Sequence, residues 1–147
     1  MPGVICAIRG GPQSQPTILK AIGLAKERGI TVYFMYVVNL DFLTHTISSR
    51  VQAVSDEMQR MGEFILLSAQ EQAERQGVES EGLIRHGNVR EEIIKTSQEL
   101  QVDYVVLGRP KERANASVFD QERLESFGQN IHDETGAMVV YAGEAGE

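Results

Sequence analysis

Three short runs of this chain, Val4 to Ile8, Thr31 to Val38 and Val102 to Leu107, are β-branched or aromatic stretches without polar alternation. A strand with one face in water alternates apolar and polar residues. A strand that does not alternate is covered on both faces, as in a parallel sheet sandwiched between helices. Glu79 to His86 reads as a weaker strand and Met138 to Tyr141 as a short fifth.

Between these runs the apolar period changes from two to between three and four. Ile18, Ala21, Ile22 and Ala25 form a stripe before Gly29, which predicts a helix from about Gln15 to Arg28. Val51, Val54, Met58, Met61, Ile65, Ala69 and Ala73 predict a second helix that ends before Gly77. A third follows from Val89, Ile93, Ile94 and Leu100 with Asn88 as N-cap, and a fourth from Leu124, Phe127 and Ile131 before Gly136. Strand and helix in strict succession predict an α/β fold: a doubly wound, five-stranded parallel sheet in the order 3-2-1-4-5, with helices on both faces. The 147 residues suit one domain, residues 1–147, without room for a second core.

A net charge of -7 argues against nucleic acid or an acidic membrane surface as a general partner, since both require cations to displace counterions. The longest strongly apolar run, Val32 to Val38, is far too short to span a bilayer, and the N-terminus lacks the pattern of a secretion signal. The expected location is cytoplasmic. The single cysteine, Cys6, sits inside the first apolar run and reads as a buried structural thiol. His45, His86 and His132 fall on separate elements, so no metal site is expected. No Ser-His-Asp or Cys-His arrangement and no spaced acidic pair suggests catalysis, and the chain reads as a protein that is not an enzyme.

Several segments resemble the universal stress protein family, UspA-like, in order over nearly the whole chain. Arg9-Gly10-Gly11-Pro12-Gln13-Ser14 is similar to Asp-Gly-Ser-Pro-x-Ser, and Tyr36-Val37-Val38-Asn39 to His-Val-Val-Asp. Gly87 to Ile94 resembles Gly-Asp-Pro-x-Glu-Glu-Ile-Leu, Val102 to Gly108 resembles Ala-Asp-Leu-Ile-Val-Met-Gly, and Ala137 to Tyr141 the closing Cys-Pro-Val-Leu-Val. The resemblance implies a fold shared with adenine-nucleotide hydrolases, and ATP binding in some members but none in others. Binding members use an Asp after strand one, backbone near the strand-two valine, and a phosphate loop of Gly, two residues, Gly, nine residues, Gly, then Ser or Thr.

This chain departs from that pattern. Arg9 stands at the Asp position and Lys111 at the second Gly; counting back from Met138 assigns Glu125-Ser126 to the final pair, farther from Gly108 than the family spacing. Gly108, Ser126 and Val37 remain. A side chain where glycine lets backbone N–H groups approach phosphate obstructs that approach, and a carboxylate at Glu125 would repel phosphate, so the usual ATP pose is disfavoured.

Yet Arg9, Arg85, Arg90, Arg109, Lys111 and Arg113 should all lie near carboxyl ends of strands, six of the 14 cations of an acidic chain. The candidate ligand-binding residues are therefore Arg9, Gly10, Val37, Gly108, Arg109, Lys111, Arg113 and Ser126, with ATP or another small anionic molecule as ligand, in a cavity between the ends of strands one and four. The plain alternatives are a solvated rim paired with Glu91, Glu92, Asp41 or Glu112, and glycines that serve only tight turns.

The resemblance also implies a homodimer through strand five, with Val139, Val140 and Tyr141 at the contact. Two other functions are open: an interaction dimer without ligand, and an enzyme of the ATP pyrophosphatase class, whose loop Ser-Gly-Gly-x-Asp-Ser is one that Arg9 to Ser14 partly resembles, with Arg9 and Gln13 replacing the first Ser and the Asp.

Overall fold

The structure, a computed structural model, describes residues 2–9, 14–40, 43, 48–108 and 118–142. Its strands and helices alternate: β1 (Gly3–Ala7), α1 (Gln15–Arg28), β2 (Thr31–Val38), α2 (Ser48–Arg75), β3 (Ser80–His86), α3 (Val89–Leu100), β4 (Tyr104–Gly108), α4 (Val118–Thr135) and β5 (Met138–Ala142). All neighbours pair in parallel in the order β3-β2-β1-β4-β5.

The non-alternating runs are buried on both sides, as their composition demands. Val4, Cys6, Val32, Phe34, Tyr36 and Val106 face one apolar cluster, closed by Ile18, Ala21 and Ala25 of α1 and Leu66, Ala69 and Ala73 of α2. Ile5, Tyr33, Met35, Val105 and Leu107 face a second, closed by Ile93 of α3 and by Phe127 and Ile131 of α4. Tyr33 and Tyr36 thus point to opposite faces, as period-two geometry requires. β3 and β5 flank the sheet and are only partly covered, which explains the weaker apolar signal of Glu79 to His86.

Local chemistry sets the helix ends. α1 has Pro in its first positions, where a missing N–H costs nothing, and closes on Gly29 at φ 66°, whose N–H donates to the Ala25 carbonyl. α3 starts at Asn88, whose side chain accepts the Glu91 N–H at 3.1 Å, while Glu91 and Glu92 complement the positive end of the helix dipole. Two boundaries differ from expectation. Val102 and Asp103 precede β4: the Val102 N–H turns back to the Ser97 carbonyl at the end of α3, and the Asp103 N–H makes the first contact with β1 at the Gly3 carbonyl, while α4 begins at Val118, ahead of Leu124. No helix among the described residues is long and apolar enough to cross a membrane.

Candidate functional site

The carboxyl edge of the sheet is where β1 and β4, paired side by side, send their chains to different partners: β1 leads to β2 and β4 to β5. Ligands of open α/β sheets bind at such a switch point. Arg9 emerges here. Ile8 is still anchored, buried and donating its N–H to the Met35 carbonyl at 2.8 Å, but Arg9 is exposed and forms no ion pair with any described residue.

Gly108 ends β4 opposite Ala142 of β5. A Cβ built on it would lie 2.6 Å from Thr17 Oγ1, in the first turn of α1. A side chain there would have to displace the buried Thr17 hydroxyl, so the closeness of α1 to the strand end favours glycine. That packing role stands whatever ligand the edge takes. Val37 lies half-buried beside Arg85 in the β2–β3 register and packs against the second cluster.

Three of the described candidates, Arg9, Val37 and Gly108, therefore sit along the carboxyl edge. Gly10, Arg109, Lys111 and Arg113 lie outside the described residues, as do the segments that would bound the expected cavity. Ser126 belongs elsewhere. It is exposed in the body of α4, in a groove of about 480 Å³ that it lines with Arg90 and Asn130, and not at the end of the loop after β4. Counting back from the fifth strand fails because α4 extends N-terminally to Val118, so Glu125 and Ser126 fall inside the helix. Glu125 is exposed on the same helix, which removes its carboxylate from the loop end as an obstacle to phosphate.

Two further members of the expected basic edge are already engaged. Arg85 pairs with Glu99 at 3.4 Å, a partner that sequence reasoning did not name. Arg90 lies over the Phe127 ring at 5.2 Å, held in the α3–α4 groove by cation–π attraction. That contact could have been found from the helical stripes of α3 and α4, but only with their packing known.

Beneath the edge, the Cys6 thiol is buried and donates to the Thr17 carbonyl at 3.7 Å; burial pushes it far above the ordinary thiol range. Among the described residues no cluster of His, Cys, Asp or Glu is arranged to hold a metal ion.

Solved structures align over almost the entire chain. UspA from Lactobacillus plantarum has a TM-score of 0.79 at 14% identity, covering 96% of this chain and 97% of its own. The universal stress protein from Archaeoglobus fulgidus in complex with dAMP has a TM-score of 0.60 at 17% identity, covering 97% and 98%. A family protein from Arabidopsis thaliana with AMP bound has a TM-score of 0.60 at 13% identity, covering 96% and 90%. At these identities the likeness is one of fold. Among curated proteins none matches the chain. The profile described as the universal stress protein family matches residues 3–131, from the first strand into the last helix, and by that match the chain belongs to the universal stress protein family.

Proposed function

We propose that the protein is a non-catalytic regulatory module of the stress response, cytoplasmic, that takes a small anionic ligand of the adenine mononucleotide type at the carboxyl ends of β1 and β4. The observation that carries this reading is Arg9: an exposed guanidinium with no ion-pair partner among the described residues, directly after β1 at the switch point. A guanidinium binds a phosphate through two parallel hydrogen bonds and does not need a glycine-lined backbone cradle. The AMP and dAMP held by the Arabidopsis and Archaeoglobus proteins support a monophosphate. Lys111, in place of a loop glycine, weighs against a triphosphate seated on backbone N–H groups.

Calorimetric titration with AMP, dAMP, cAMP and ATP tests the proposal. AMP is expected to bind, ATP to bind no more tightly, and Arg9→Ala to weaken AMP by about tenfold or more, the scale of one lost charge-assisted contact. Absence of binding by the whole panel would leave the interaction dimer without ligand as the better account.

The second part of the proposal is a homodimer through β5. This strand ends the sheet order and pairs with β4 on one side, while Val139, Val140 and Tyr141 are only half-buried and Met138 is 59% exposed. A two-fold axis beside β5 would cover that edge and end growth at two subunits. Val140→Lys is expected to shift the light-scattering mass from dimer toward monomer, with circular dichroism confirming the fold. A monomeric mass for the parent protein at micromolar concentration overturns this part.

A further inference from the structure

The outer face of α2 carries an apolar patch that nothing in the chain covers among the described residues. Met61, Phe64 and Leu67 are 57%, 74% and 64% exposed, three of the five most exposed large apolar side chains described, and they fall within two turns of one helix. The inner face of the same helix is satisfied by Leu66, Ala69 and Ala73 in the core. Single exposed apolar residues are ordinary, whereas a contiguous group on a rigid element marks a contact surface.

Charge at the two ends of the patch selects the occupant. One turn before Phe64 stands Arg60, and one turn after Leu67 stands Glu71, both exposed on the same face. A copy of the helix laid antiparallel, with Phe64 against Leu67 of the second copy, brings Arg60 opposite the second copy's Glu71 at both ends. On one flank it also brings Glu57 toward Arg75. A parallel arrangement would set Arg60 on Arg60 and Glu71 on Glu71. The opposite flank meets like charges, Asp56 near Glu74, which keeps the contact weak and concentration-dependent. Among the described residues Arg60 pairs within its own chain with Glu57 alone, at 3.3 Å, with both side chains more than 70% exposed, so exchanging partners costs little.

We infer that the Met61–Phe64–Leu67 face of α2 is a second self-association surface, taking the α2 of another copy antiparallel about a two-fold axis. It is distinct from the β5 edge and lies on the far side of the sheet from α3 and α4. Two different two-fold contacts on one chain allow growth beyond a dimer, into a closed tetramer or an extending row.

Sedimentation velocity over a concentration series tests this on the full chain. The parent should show reversible assembly that Phe64→Glu with Leu67→Glu weakens by about tenfold or more, as expected when charges enter a small apolar contact. Both positions are exposed, so circular dichroism and melting should be unchanged. Arg60→Glu alone and Glu71→Arg alone should each weaken assembly, and the double reversal should restore it. The V140K variant, which removes the β5 contact, should retain the response to charge reversal, so failure of one contact is separable from failure of the other. Assembly unaffected by F64E/L67E, or a double reversal no better than either single one, overturns the inference. The same holds if the patch instead captures a lipid vesicle or another protein while self-association stays unchanged.

Discussion

Phe34→Ala is expected to lower the unfolding free energy by about 3–5 kcal/mol, the range for removing a large aromatic from a packed core. Phe34 is fully buried on β2, paired with Cys6 of β1 and Gly82 of β3. Its neighbours in register are small, and its cluster combines alanines of α1 and α2 with Ile18, Ile22 and Leu66 of the same helices. The alanines and Gly82 cannot extend into the space, so filling it falls to rotamer changes of the larger cluster members or to movement of the helices. Against a typical total of about 5–15 kcal/mol, the loss brings the domain near its folding threshold. Thermal melting should fall by roughly 10 °C or more. A fall of only a degree or two would mean that the helices collapse onto the sheet more freely than this packing allows.

Gly108→Ala separates a packing glycine from a phosphate-loop glycine. The added Cβ would meet Thr17 Oγ1 at 2.6 Å, and Thr17 is buried. The resulting overpacking should cost about 1–3 kcal/mol. Thr17→Ala removes the obstructing oxygen, so the double variant should recover most of that loss in urea denaturation. If stability returns but affinity for AMP does not, Gly108 also serves backbone approach to the ligand. A double variant no more stable than Gly108→Ala would show that the close approach to α1 is not what demands glycine there.

The fold was legible because its central strands are buried on both faces and therefore cannot disguise themselves: Val4 to Ile8 and Thr31 to Val38 admit no alternation. The helices announced themselves by stripe and stop, as with Ile18 to Ala25 before Gly29. Legibility failed where packing no longer dictates sequence. The stripe that predicts the fourth helix begins at Leu124 and gives no sign of the start at Val118, so counting back from Met138 puts at the loop end a pair, Glu125 and Ser126, that lies inside the helix. The basic edge was legible as composition but not as geometry. Guanidiniums are long enough to choose among partners, and Arg90 takes the Phe127 ring while Arg85 takes Glu99.

The buried Cys6 bears on what kind of stress this chain can register. Peroxide and electrophiles react with the thiolate, and reach it only through solvent. Here the one sulfhydryl of the chain is fully enclosed, donates a hydrogen bond to the Thr17 carbonyl and is kept protonated by its burial. Oxidation of cysteine to a sulfenic acid or a mixed disulfide is thereby closed to the folded domain, and direct oxidation falls instead on exposed thioethers such as those of Met61 and Met138.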